Sequence, residues 1–306
     1  QIEAKSPKRR GRPKLNEEEK KAAKAKKKEG RRVRSLAPMA YVSPYIMHER
    51  TDATNYIEST AEVSAIEDYI HKKRSEGLAG FGMMHVFLAA FVRMFSQHPE
   101  LNRFIRGQKI YARNCIEVMI TIKREMKVNA PDTVLKLIFP PESTAEDVFN
   151  IINSEIEQYR KSDSDFDDTA KILNYIPGVF LKFAVWFLNL LDYFGLLPRK
   201  LTLLSPFHGS FAITSMASLG IPPIYHHLYN FGNIPVFISF GPKKSVNELQ
   251  RDGTVKVKRL VDYKCVTDER ICDGFYFASA LKYMRELYLH PEALDNPPEK
   301  IVEDVD

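Results

Sequence analysis

Histidine is the side chain best placed to move protons near neutral pH, and three of the eight in this chain sit where chemistry could use them. His226 and His227 are adjacent and lie between the aromatic residues Tyr225 and Tyr229, while His208 falls in the short run Pro206-Phe207-His208-Gly209-Ser210 ahead of a β-rich stretch. In an extended chain neighbouring side chains point to opposite faces, so at most one of His226 and His227 can enter a given pocket. Each histidine could act as a general base toward a thiol or hydroxyl, or be a hydrogen-bonded structural residue. No group of residues has metal-ligand spacing. Cys115, Cys265 and Cys272 are an odd set with no close pair, which argues against a disulfide scaffold or a thiolate zinc site and suits a reducing compartment.

Charge is the second chemical feature. Fifteen Lys and Arg against five Glu fall in residues 1–34, a local charge of +10, so the remainder of a chain whose total is +6 carries −4. Ile2, Leu15 and Val33 are the only large apolar side chains in this arm, too few to offset its ordering entropy, and it reads as disordered or as a solvated helix. Residues 8–14, Lys-Arg-Arg-Gly-Arg-Pro-Lys, resemble an AT-hook, whose extended Arg-Gly-Arg-Pro core enters the narrow minor groove of A·T-rich DNA. That resemblance implies nucleic-acid contacts from Arg9, Arg10, Gly11, Arg12, Pro13 and Lys14. The alternatives are a tail for any polyanion, RNA and anionic lipid headgroups included, and a helix over residues 20–28 with i,i+4 pairs and no ligand.

The elements that must position these groups follow from periodicity. A length of 306 residues with 44% apolar and 11% aromatic content excludes wholesale disorder. No apolar stretch follows the basic start, so no secretory signal is read and a cytoplasmic location is expected. Strands are expected over residues 55–63, 116–123, 133–139, 210–214, 236–240 and 255–266. Helices are expected over 66–74, over 83–95 as a segment apolar nearly all round, from a Ser143 to Glu146 capping box through Tyr159, and over 275–289. An acidic connector occupies 162–168. Strands and helices mixed without βαβ alternation give an α+β layered domain over residues 35–306.

Four motifs in order carry a resemblance. Thr267-Asp268-Glu269-Arg270-Ile271-Cys272-Asp273-Gly274-Phe275 resembles the Asp-His-Arg-x-x-Asp-Gly signature of the acyltransferase catalytic domains of 2-oxo acid dehydrogenase complexes, and the His-x-x-x-Asp-Gly of chloramphenicol acetyltransferase. Gln97-His98-Pro99-Glu100-Leu101-Asn102 resembles the family's His-Pro-Glu-Leu-Asn helix end. Ser210-Phe211-Ala212-Ile213-Thr214-Ser215 is similar to its Thr-Phe-Thr-Ile-Ser strand, and Asn233-Ile234-Pro235 through Gly241 to its Asn-x-Pro…Gly strand. Residues 225–232 and 268–274 look like a bacterial subfamily of short, stand-alone proteins without a lipoyl domain.

This resemblance implies a chloramphenicol acetyltransferase-like fold with a mixed sheet and flanking helices, assembled as a homotrimer with each active site at a subunit interface. It also implies an acyltransferase that takes coenzyme A or another acyl thioester as substrate, with no tightly bound cofactor and no metal. Such chemistry needs a base for the attacking thiol or hydroxyl and a hydroxyl to bond the tetrahedral oxyanion. Thr214 falls at the hydroxyl position, and Glu269 stands where the family has histidine. Desolvated, a glutamate can become a usable base; the opposing reading pairs Glu269 with Arg50 or Arg270 and leaves a silent trimeric scaffold. His227 and His208 are the other base candidates. By the same resemblance Asp273 fixes the turn and pairs with an arginine, Gly274 allows close backbone approach, and Arg270 is structural.

One segment falls outside the family pattern. An apolar helical insertion occupies about 172–204, and within 172–197 the residues Lys182, Asn189 and Asp192 are spaced as one polar stripe on an otherwise greasy helix. It is expected to pack on the body or a neighbouring subunit. The alternatives are a lid over an acyl chain and a peripheral, in-plane membrane helix.

Overall fold

Alternation of apolar residues decides the sheet. Ile116, Val118 and Ile120 fall on one face with Met119 on the other, Phe211 and Ile213 oppose Ala212, and Val261, Tyr263 and Cys265 oppose Val266. The computed structural model describes residues 28–123, 132–161 and 176–306, so the motif at 8–14 and the connector at 162–168 lie outside the described residues. A small sheet of order β1-β4-β3 joins β1 (Gly30–Arg32), β3 (Arg103–Arg106) and β4 (Lys109–Arg113). The main sheet holds β2 (Thr54–Glu62), β5 (Ile116–Lys123), β6 (Asp132–Phe139), β7 (Phe211–Ser215), β8 (Val236–Leu249) and β9 (Val255–Asp268) in the order β2-β9-β8-β7-β5-β6. β7 runs parallel to β5 and β8, and the other neighbours are antiparallel, which makes the sheet mixed as expected.

Among the described residues seven helices complete the fold. They are α1 (Pro38–Ile46), α2 (Ser64–Ser75), α3 (Met83–Gln97), α4 (Ala145–Lys161), α5 (Gly178–Tyr193), α6 (Arg199–Leu204) and α7 (Gly274–Leu289). The all-round apolar α3 lies between the sheet and α2, α4 and α7. Phe87 stacks on Phe240 at 4.2 Å, and Phe95 packs on Phe211 at 4.7 Å. Each phenylalanine so buried stabilises the fold by about 1.5–3 kcal/mol.

Several elements differ from expectation. The box opening α4 is Thr144 with Asp147, one residue along from the expected pair: the Asp147 amide donates to Thr144 Oγ1 at 3.2 Å and the Thr144 amide to Asp147 Oδ2 at 2.9 Å. Strand β8 continues to Leu249, nine residues past its expected end, as a ribbon with β9. The end of the basic arm belongs to the folded body, because Gly30–Arg32 pairs with β4 and Val33 is buried.

Candidate active site

The loop after β9 is built around Asp268. Its side chain is buried, and Arg270 grips it with Nε to Oδ1 at 2.8 Å and Nη2 to Oδ2 at 2.7 Å. The other guanidinium nitrogen of Arg270 donates to the carbonyls of Met47 and His48 at 3.0 and 3.1 Å. Arg50 approaches the same carboxylate at 3.5 Å and donates to the carbonyls of Tyr229 and Gly232. Burial pushes the Arg50 guanidinium down to about 10 against the pull of Asp268, so it remains charged at neutral pH. One buried carboxylate with two arginines thus ties together the residues after α1, the 229–232 loop and the end of β9.

Glu269 is excluded from this network. The sequence offered Arg50 or Arg270 as its partner; both bind Asp268 instead, because only the side chain of Asp268 points into the buried side. The Glu269 amide is fixed to the Ala53 carbonyl at 2.8 Å, while its carboxylate is exposed and makes no hydrogen bond or ion pair to a described residue. Asp273 departs from expectation too. It pairs with no described arginine and instead caps α7, accepting from the Tyr276 amide at 2.7 Å. A Cβ on Gly274 would meet nothing within 4 Å, so in this chain no close approach requires glycine there.

Thr214 stands on β7 opposite Ser239 of β8, which in turn stands opposite Lys264 of β9. It is mostly buried, shares a face with Ala212, and its hydroxyl has no hydrogen bond to a described residue. Glu269 lies five residues beyond Lys264, at the other end of the sheet. At about 3.3 Å per residue, the two groups are roughly 17 Å apart along the strands alone. One copy of the chain does not bring them together.

The histidines separate clearly. His226 stacks on Phe237 at 3.9 Å and lines an apolar cavity of about 190 Å³ with Met119, Ala212, Leu228 and Phe237, on the Thr214 face of the sheet. Its Nδ1 lies 2.9 Å from the His227 carbonyl, which in a neutral ring places the proton on Nδ1 and leaves Nε2 as the acceptor. Burial lowers its pKa and favours that neutral form. His227, preferred from the sequence, is the exposed member of the pair. His208 is enclosed, with Nδ1 2.8 Å from Ser205 Oγ and Nε2 3.4 Å from Asp192 Oδ2, a position that braces the chain ahead of β7.

No family model matches the sequence, and no curated protein does. The structure, however, is similar to a probable dihydrolipoamide acetyltransferase from Listeria monocytogenes, with TM-score 0.53 at 14% identity over 96% of this chain and 99% of that one. The dihydrolipoamide acetyltransferase of Azotobacter vinelandii matches with TM-score 0.51 at 11% identity over 85% of this chain and 93% of its own. A chloramphenicol acetyltransferase matches with TM-score 0.50 at 12% identity over 82% and 94%. The chain has the chloramphenicol acetyltransferase-like fold.

Within that fold the four sequence motifs take on positions. The 97–102 motif ends α3, the 210–215 motif is β7, the 233–241 motif enters β8, and the 267–275 motif joins β9 to α7. Sequence reasoning missed the buried group behind the third motif, where Glu29 binds Arg113 at 2.6 Å and Asn233 at 2.7 Å. Arg113 in turn reaches the Gly209 carbonyl. Three polar residues drawn from separate parts of the chain leave no local pattern to read.

Proposed function

We propose that this chain transfers an acyl group from a thioester of coenzyme A or a carrier to a thiol or hydroxyl acceptor, as a homotrimer in which Glu269 of one copy faces Thr214 of the next. The acceptor gives its proton to the base as its sulfur or oxygen attacks the thioester carbonyl, and the Thr214 hydroxyl donates to the oxyanion so formed. Collapse breaks the carbon–sulfur bond, and the leaving thiolate recovers the proton. The observation that carries this reading is the free carboxylate of Glu269 on a loop held rigid by Asp268, Arg50 and Arg270. A base committed to a buried ion pair would be silent; this one is available. The roughly 17 Å within one copy supports a site completed by a second copy.

The test is a thermal-shift titration of the full chain with coenzyme A and with short and long acyl thioesters, followed by turnover in Thr214→Ala and Glu269→Gln. A saturable rise in melting temperature with an acyl thioester, and turnover lost in both variants, is the expected result. No shift with any thioester would leave the silent trimeric scaffold as the better reading.

A further inference from the structure

Helix α5 has no buried side chain at all. Val179, Phe180, Phe183, Trp186 and Phe187 are 44–79% exposed and share one face about 120° wide, turned away from Asp192, and the expected packing of this segment on the body is confined to its last turns. Asp192 is turned inward, so Lys182, Asn189 and Asp192 do not form a shared wet stripe. It ion-pairs with Arg106 at 2.9 Å, and Arg106 also binds Glu29. The end of α5 and the entry of the chain into the fold are therefore clasped to one another. Beside the clasp lies an open depression of about 730 Å³, where Phe194 and Leu197 meet Lys28, Arg32 and Arg34. These three cations are exposed and have no ion pair to a described residue, and Asp306 is the one other acid at the rim besides the enclosed Glu29. The chain preceding Lys28 adds eleven Lys and Arg against four Glu.

We propose that this face docks on an anionic lipid bilayer, with α5 lying in the interfacial plane and the Lys28, Arg32 and Arg34 cluster against headgroup phosphates. At about 1.5 Å per residue α5 is near 24 Å long, short of a hydrocarbon core of about 30 Å, and no described helix is long and apolar enough to cross a membrane. The large apolar residues of α5 share one outward face with the exposed Lys182 and Asn189 to its side, which is the amphipathic pattern of a helix lying at the acyl and headgroup boundary, and the cation cluster beside it matches an anionic surface. The adjoining cations supply the second signal that stable peripheral binding requires. This inference does not depend on acyl transfer.

Trp186 is the sole tryptophan of the chain, and it sits on α5. The experiment follows its emission as the full chain is titrated with vesicles of equal parts phosphatidylglycerol and phosphatidylcholine, and with phosphatidylcholine alone. Expected are a blue shift and quenching by brominated acyl chains with the anionic vesicles, weakening as salt is raised. Partition should fall at least about tenfold in Phe183→Glu and, separately, in Arg32→Glu with Arg34→Glu, with melting temperatures unchanged. Three results would overturn the proposal. They are emission indifferent to both vesicle types, a blue shift that tracks protein concentration without lipid and so assigns α5 to a second copy, and variants that bind as well as the parent.

Discussion

Asp268 closes on Arg270 through two hydrogen bonds of 2.8 and 2.7 Å, and the residue between them, Glu269, is left outside. Sequence neighbours thus divide the work: the outer two spend their charges on the loop's shape, and the middle one keeps its carboxylate in solvent.

If Asp268 is the hub, Asp268→Asn should leave Arg50 and Arg270 buried without their counter-charge. Breaking such a group by removing one partner costs about 3–5 kcal/mol. Denaturant unfolding at neutral pH should show that loss, and a drop under about 1 kcal/mol would mean that water already screens the pair.

The separation of Thr214 from Glu269 makes a complementation experiment decisive for the proposed site. Thr214→Ala and Glu269→Gln should each be inactive alone, yet after co-refolding in equal amounts about a quarter of the sites would join an intact threonine to an intact glutamate. Mixed protein as inactive as its parents would place both groups in one copy or neither in catalysis.

Acid should loosen the Glu29 clasp. Burial alone would raise the Glu29 carboxyl, but Arg113, Arg106 and the Asn233 hydrogen bond outweigh it and hold the group well below the usual carboxylate range. A depressed carboxyl stabilises fully above its unfolded pKa of about 4.3 and loses that contribution as pH falls toward the folded value. Unfolding midpoints should therefore decline below about pH 4. Glu29→Gln should be less stable than the parent at pH 7, by a margin that narrows in acid.

Gly232 has φ of +81°, and a Cβ there would lie 2.0 Å from the Phe207 carbonyl oxygen, which cannot give way because it accepts from the Asn233 amide. Gly232→Ala should cost more than about 2 kcal/mol and displace the carbonyl that Arg50 binds. A variant as stable as the parent in thermal melts would show that this backbone contact can relax.

The sheet and α3 were legible because burial on defined faces writes a period into the sequence. Other parts leave no such trace. β1 is charged throughout its Arg31-Arg32 pair and is held by backbone pairing, which any side chain permits. α1 contains Pro44, a residue that reads as a break; the Ala40 carbonyl that would have accepted the proline's missing amide takes a hydrogen bond from Ser43 Oγ at 3.3 Å. At the site, the motifs singled out Glu269 and Thr214 as candidates but not that Arg50 and Arg270 bind Asp268 rather than Glu269, that Asp273 caps α7, or that His226 rather than His227 lines the cavity, since which of two adjacent side chains turns inward depends on contacts distant in sequence.

The position of α5 also bears on how the chain reaches its folded state. β8 and β9 form a hairpin from neighbouring residues, whereas β7 must find β5 in parallel across a long intervening stretch that carries α4, α5 and α6. Local pairing closes fast and distant parallel pairing closes slowly. During that delay a greasy helix that even the finished body does not cover would be on offer to other chains. Yield on refolding should therefore be limited by association between nascent molecules, and should improve when dilution or an added amphiphile keeps that one helix occupied.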